Sequence, residues 1–194
     1  MILYHGSRTD GIEVLEPRQA DHDRPYIYMS TLEVVAAFYL CNAVERPYYW
    51  FPYGFCKSDR NIPYYDEMYP NALEEVSRGV SGFIYKVEAS EDQVILFKNI
   101  HCVRLGTKPI PVVGSVYIPD AWELFQHYLE IGVMKVYRYE DKSSAYHEAD
   151  RKLILNSIMD KDIYKTPNCS LAKFILTKFP DIWQEYMEIK ESAR

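Results

Sequence analysis

The sequence predicts an α+β fold in which strands dominate the first two thirds of the chain and helices the last third. Stretches such as "YIYMS" and "GFIYKVEA" alternate side chains with the period of two that is typical of strands. From Ser143 onward, apolar residues recur every three or four positions, which is typical of amphipathic helices. Because strands and helices do not alternate regularly, the pattern does not favour a doubly wound parallel sheet. We therefore expect a domain over residues 1–142 and a helical extension over 143–194.

The amino-acid composition limits the classes of protein to which this chain can belong. The 194 residues are 48% hydrophobic and carry a net charge of −6, which indicates a globular chain and argues against an extended nucleic-acid-binding face. No apolar run approaches the roughly 20 residues of a membrane span, and the chain opens with a strand rather than a signal peptide, so we expect a cytoplasmic protein. None of the four cysteines forms a CxxC pair or has the spacing of a metal site, and we expect neither a metal nor a disulfide framework.

The N-terminal elements are the easiest to predict. "MILYH" and "YIYMS" read as strands on either side of a polar loop with a short strand at residues 12–15. Ser30 and Glu33 have the spacing of a capping box, which predicts a helix from about Leu32 to Val44. Four residues of that helix are expected to be buried: Val35, Ala36, Tyr39 and Leu40.

Residues 46–81 form a proline-rich and strongly aromatic segment that contains one short predicted helix, "NALEEVSRG". A loop of this length is unusual unless it has a function. Two interpretations remain open: a packed flap over a functional site, and an inserted subdomain that simply covers the core.

The rest of the chain alternates three further strand regions with helices. "VILFKNIHCVRL" is expected to break near Lys98 and Asn99, and a strand is expected to continue after Pro111. Pro119 has the character of a first helical residue, followed by the helix "PDAWELFQHYLE". The strand "GVMKVYRYED" precedes three tail helices, the last with Ile182, Tyr186 and Ile189 on one face.

The segment "LYHGS" is the main candidate for a site, because a histidine and a glycine end the first predicted strand. A glycine allows main chain and imidazole to approach a ligand closely. The alternative is a histidine that serves as a structural hydrogen-bonding residue.

Four segments together are more specific: "LYHGS", "EVLEPR", "YIYMST" and "EVVAAFYL". In this order they resemble the ADP-ribosyltransferase superfamily, nearest to its His-Tyr branch, which includes the rifampicin-modifying transferases. The resemblance covers residues 2–140 and weakens towards its end. It implies an ADP-ribosyltransferase-like split pair of small antiparallel sheets, packed face to face with flanking helices, and NAD bound as a substrate in the cleft.

The resemblance also implies roles for individual residues. His5 would bond the adenosine ribose, and the main chain of Gly6, with Ser7 beside it, would hold the nicotinamide carboxamide. Tyr28 would stack on the nicotinamide ring, with Tyr26 as the alternative. Ser30 or Thr31 would do no more than cap the following helix.

This sequence departs from the family at one element, the acid that would stabilise the ribose cation. The aligned segment "FKNIHCV" contains no carboxylate. Glu91 or Asp92 is the preferred substitute and Glu88 the second choice. Asp120 and Glu123 are expected to serve the N-terminus of the later helix, where negative charge is favourable.

Three functions follow as hypotheses. The first is an NAD-dependent ADP-ribosyltransferase acting on an unknown protein, nucleic acid or small molecule, with Tyr48–Tyr69 covering the cleft or selecting the acceptor. The second is a catalytically inactive interaction module on the same fold, with the C-terminal helices as partner surface. The third is an enzyme like the RNA 2′-phosphotransferases, for which only Arg8, Arg18 and Arg24 offer positive charge.

Overall fold

A computed structural model of the protein describes residues 1–19, 24–41, 53–56, 62–98 and 100–192. This part of the chain is a mixed α+β structure with ten strands in two sheets and six α-helices. The strands in chain order are β1 Ile2–Ser7, β2 Val14–Leu15, β3 Ile27–Ser30, β4 Tyr53–Cys56, β5 Ile62–Asp66, β6 Gly82–Glu88, β7 Val94–Leu96, β8 Val103–Gly106, β9 Ile110–Ile118 and β10 Lys135–Tyr137. The helices are α1 Glu33–Cys41, α2 Ala72–Ser77, α3 Ala121–Glu130, α4 Ser144–Asp160, α5 Ser170–Lys178 and α6 Pro180–Ser192.

The larger sheet contains seven strands in the order β2-β9-β6-β1-β3-β8-β7, and all of its registered pairs are antiparallel. The smaller sheet has the order β10-β5-β4, and β10 runs parallel to β5. The α+β prediction is therefore confirmed. The expectation that both sheets are antiparallel is wrong for the smaller one, because β10 pairs in parallel with β5. β10 follows α3 in the chain, some seventy residues after β5.

The two faces of the larger sheet carry different cores. On β1, Tyr4 packs against the main core under α1, whereas Leu3 belongs to a separate cluster on the other face. This follows from the alternation of side chains along a strand. The second cluster is closed by Leu15, Ile27, Met29, Val87 and Ile110.

The C-terminal helices share the main core rather than forming one of their own. Ile158, Ile175 and Tyr186 are fully buried in the same cluster as Phe38 of α1 and Phe125 of α3. The three predicted tail helices are confirmed, and Ile182 and Tyr186 are buried as expected, although Ile189 is exposed.

The segment 46–81 contributes to the core, at least in its second half. Ile62–Asp66 is the central strand of the smaller sheet, and Tyr65, Tyr69 and Leu73 are buried in the main core. These residues are part of the core itself, and the two interpretations of the whole segment stay predictions. Tyr48 and the rest of 42–52 lie outside the described residues.

Two helix starts differ from the sequence prediction. α3 begins at Ala121 with Asp120 as its N-cap, so Pro119 precedes the helix. At α1 the Ser30 hydroxyl accepts a hydrogen bond from the Leu32 N–H, but the Glu33 carboxylate accepts one from the Tyr128 hydroxyl instead of completing a capping box. Tertiary contact has replaced the local bond.

No helix in the described part of the chain combines the length and the apolar character needed to cross a bilayer.

Candidate functional site: the seam between β1 and β3

The candidate site lies where β1 and β3 separate. Only Tyr4 and Ser30 are registered as partners between these strands, whereas β1 is registered with β6 along its whole length. Just beyond that single pair, the imidazole of His5 reaches the Tyr28 carbonyl, with 2.7 Å between Nδ1 and O. A carbonyl only accepts, so Nδ1 carries the proton and donates it here. In the neutral ring, Nε2 is then left as an acceptor.

The surroundings of His5 keep its imidazole neutral. Burial lowers the pKa of His5, the bond to the Tyr28 carbonyl opposes this, and the positive charge of Arg18 lowers the pKa further. At pH 7 the ring therefore presents a lone pair on Nε2. Such a group can accept a hydrogen bond from a hydroxyl, including that of a sugar.

Gly6 is explained first by packing. A Cβ at this position would lie 2.0 Å from the Ala36 carbonyl oxygen and 2.9 Å from its carbon, both in the main chain of α1. Glycine is required for this close approach of helix and strand. A Gly6→Val variant would therefore displace α1, so its effect on ligand binding could not be separated from its effect on the fold.

The side chains of His5 and Tyr28 leave opposite faces of the sheet. Tyr4 lies opposite Ser30, so Tyr28 shares the face of Gly6 and α1, while His5 alternates to the other face. The two residues are nonetheless neighbours, because the His5 imidazole bonds the Tyr28 carbonyl. The three strands that carry "LYHGS", "YIYMS" and "GFIYKVEA" do converge, since β1 lies between β3 and β6.

Tyr39 is a candidate residue that the sequence prediction missed. Seven of the nine residues of α1 are buried, but Tyr39 is 37% exposed. Its Cβ is 3.5 Å from the position that a Gly6 Cβ would occupy. Tyr39 thus begins its side chain beside Gly6, on the face that also carries Tyr28, whose own side chain is partly exposed and whose hydroxyl is buried. Predicting its exposure was difficult because α1 has almost no polar face.

Two arginines, Arg18 and Arg24, carry positive charge near the start of β3. Arg18 is paired through its main chain with Tyr26 and acts electrostatically on His5. Arg24 lies over the Tyr26 ring, 5.2 Å from its centroid, and its Nε donates to the Tyr26 hydroxyl. Tyr26, the alternative stacking residue, is buried under this contact. The site is suited to a ligand that carries negative charge.

The loop after β1 is fixed in place by Tyr85, the residue opposite His5 on β6. The Tyr85 hydroxyl donates to the Thr9 carbonyl at 2.7 Å and accepts from the Ile12 N–H at 3.3 Å. The Ser7 hydroxyl accepts from the Thr9 N–H at 3.2 Å and so helps to turn the chain. The end of β1 is therefore preorganised.

The acids predicted from the sequence lie at and after the end of β6. Glu91 and Asp92 open a short 3-10 turn in which the Ser90 N–H donates to Gln93, and the bond from Ser90 lowers the pKa of the exposed Asp92. Glu88, the second choice, lies opposite Ile2, three residues or about 10 Å along the strand from the partner of His5.

Glu33 is an acid on α1, the helix that packs against Gly6. It precedes Ala36 by about one helical turn, and its Oε1 accepts from the Tyr128 hydroxyl at 2.6 Å. Burial, followed by the bond to Glu33, raises the pKa of Tyr128, so the phenol stays protonated.

Asp120, in contrast, serves its helix as predicted. Its carboxylate accepts from the Trp122 N–H at 2.8 Å and from the Gly79 N–H at 3.0 Å.

A comparison with models of protein families finds no match, and comparisons with curated proteins and with solved structures find none either. Among the residues that the structure describes, no group of three or more His, Cys, Asp or Glu side chains could hold a metal ion. The function has to be inferred from the geometry of the seam.

Proposed function

We propose that this chain is an ADP-ribosyltransferase-like protein that binds NAD at the seam between β1 and β3. The observation that supports this most is the opening of the β1–β3 ladder at a neutral, oriented histidine, directly before a glycine that brings an exposed tyrosine alongside. A mixed α+β fold with two sheets is consistent with the resemblance to that superfamily.

Each part of NAD would have a matching group if the dinucleotide ran through the opening between β1 and β3, because His5 and Tyr28 lie on opposite faces of the sheet. The nicotinamide ring would lie by Tyr28 and Tyr39, with its carboxamide bonded to the main chain of Gly6. The adenosine ribose hydroxyl would donate to Nε2 of His5. The positive charge of Arg18 would attract the pyrophosphate.

Transfer of ADP-ribose requires more than binding. The bond between C1′ of the ribose and the nicotinamide nitrogen breaks, the acceptor's nucleophile bonds to C1′, and the acceptor's proton leaves with solvent or a base. An anion near the ribose stabilises the cationic transition state. Glu33 is our candidate for that anion, in place of Glu91 and Asp92.

A second candidate function is supported by the absence of a carboxylate from the segment "FKNIHCV". On that view the chain is an inactive relative that binds NAD, or that uses the fold only as an interaction module. The third hypothesis, an RNA 2′-phosphotransferase-like enzyme, is supported by the charge of Arg18 beside His5.

The binding test uses calorimetric titration of the purified protein with NAD. We expect Tyr39→Ala and His5→Ala each to weaken binding at least tenfold, equivalent to about 1.4 kcal/mol or more. Tyr146→Ala, which removes a more exposed tyrosine on α4, is the control and should bind as the parent does. Absence of NAD binding by the parent, or unchanged binding by Tyr39→Ala, would refute the proposed site.

Measuring nicotinamide release distinguishes an active enzyme from an inactive relative. If the protein turns over NAD, Glu33→Gln should reduce release at least about 100-fold with little change in NAD affinity. The double variant Glu91→Gln, Asp92→Asn should release nicotinamide at the parental rate. Loss of activity only in the double variant would show that Glu33 is the wrong acid, and binding without release would favour the inactive relative.

A further inference from the structure

One edge of β9 is covered for only part of its length. β9 is paired with β6 from Val112 to Ile118 on one side. On the other side the two-residue strand β2 reaches only Ile110 and Pro111, and the Glu13 carbonyl then accepts from the Val112 N–H. In the described part of the chain, no strand is registered against residues 113–118 on that side. Because main-chain groups alternate in direction along a strand, this edge presents N–H and C=O groups outward over about 20 Å.

The side chains of this edge are apolar and uncharged. Val113, Val116 and Tyr117 are 58%, 61% and 56% exposed. The strand "IPVVGSVYI" contains no charged residue, although the chain carries a net charge of −6. Proteins usually protect an exposed edge with a charge, a proline or a bulge. Here Pro111 lies at the end that β2 already covers, and the bulge falls at Val113, the first residue of the strip, so residues 114–118 carry no such protection.

We propose that residues 113–118 of β9 pair antiparallel with the same residues of a second copy of this chain, which joins the two larger sheets into one. A two-fold axis brings identical edges together, so every outward group meets its complement. An uncharged strip is the surface on which two copies of an acidic chain repel each other least.

The side chains of β9 complement themselves in the register centred on Ser115. Val113 then lies opposite Tyr117 of the partner subunit, a β-branched and aromatic pair of the kind that stabilises sheets. Gly114 lies opposite Val116 of the partner subunit. No atom lies within 4 Å of a Cβ position at Gly114, so there is space for that valine. The pairing does not depend on the proposed NAD site.

The first test is sedimentation velocity over a wide range of protein concentration. We expect the parent to dimerise and Val116→Lys to weaken dimerisation at least tenfold, because two lysines then enter one small interface. Ile95→Lys is the matched control: it places a lysine at an exposed apolar position on β7, the opposite edge of the same sheet, and should dimerise normally. Circular dichroism should show that both variants fold, since both side chains are exposed.

The second test determines the register in which the two copies of β9 pair. Ser115 would face its own copy across the axis with Cα atoms roughly 5 Å apart, within the range of a disulfide. Ser115→Cys should therefore cross-link on mild oxidation, whereas Ser90→Cys, at an exposed site away from β9, should not. A parent that stays monomeric at all concentrations, or a Val116→Lys variant that dimerises as the parent does, would overturn the proposal. A dimer in which Ser115→Cys fails to cross-link would overturn this register.

Discussion

Replacing Gly6 with alanine tests whether the close contact between α1 and β1 is the reason for a glycine after His5. The added Cβ would lie 2.0 Å from the Ala36 carbonyl oxygen, whereas ordinary contacts begin near 3.4 Å. The helix would therefore have to move away by about 1.4 Å, the difference between these two values. The obstructing atoms belong to the main chain of a buried helix, so no side-chain rotation can relieve the contact.

The cost can be estimated from overpacked cores. Insertion of one carbon into a packed region costs about 1–3 kcal/mol, and a clash with main chain belongs at the upper end. For a chain of this length, 1 kcal/mol corresponds to about 2–4 °C in melting temperature. We expect Gly6→Ala to lower the free energy of unfolding by about 3 kcal/mol and the melting temperature by roughly 6–12 °C.

Thermal unfolding followed by circular dichroism measures the effect, with Gly114→Ala as the control. Gly114 is also a strand glycine of the same sheet, but a Cβ there meets nothing within 4 Å. Its replacement should leave stability unchanged or raise it by a few tenths of a kcal/mol, since alanine restricts the unfolded chain. If Gly6→Ala and Gly114→Ala melt at the same temperature, α1 does not rest on Gly6 and the packing argument fails.

Two further predictions concern protonation and capping. Because the pKa of His5 is lowered in the folded state, the unfolded state binds the proton more readily, and stability should fall as the pH drops below about 6.5, by up to 1.4 kcal/mol per unit. Urea unfolding of His5→Gln should have a flatter profile over this range, and parallel profiles would contradict the lowered pKa. Asp120→Ala should cost about 1–2 kcal/mol in urea unfolding because α3 loses its N-cap, while Asp120→Asn should retain most of the stability. Equal stability of these two variants would mean that the cap contributes little.

The elements with strong local periodicity could be predicted from the sequence. β6 and β9 are found in the expected segments, the strand region after Gln93 breaks at Lys98, and the three tail helices are present. In each, alternation or helical spacing continues for long enough to identify the element without knowledge of its partners.

β5 could not be predicted in the same way. Its sequence "IPYYD" contains a proline and lies in an aromatic, proline-rich segment, which favours a loop interpretation. What makes it a central strand is pairing with β4 and, in parallel, with Lys135–Tyr137 far along the chain. Long-range pairing of this kind leaves no local pattern.

The main-chain arrangement of the site could be predicted from the sequence, but the directions of its side chains could not. The segment "LYHGS" correctly marks the end of β1, and its convergence with β3 is confirmed. The face on which each side chain lies depends on register, and a shift of one residue reverses it. The sequence alone therefore did not place the side chains of His5 and Tyr28 on opposite faces, and the exposure of Tyr39 was missed because α1 has almost no polar face.

Gly6 connects packing and chemistry in a way that affects how each should be tested. Its missing side chain lets α1 approach β1, and the same approach holds Tyr39 against the seam. A chain that lost all activity would still need this glycine to keep its fold, so the presence of Gly6 is not by itself evidence of a ligand. Tyr39 is different: its side chain is 37% exposed on a helix with seven buried residues, and it is absent from the hydrophobic core clusters. Binding experiments should therefore use Tyr39 and His5, whose loss can be separated from loss of the fold, and stability experiments should use Gly6.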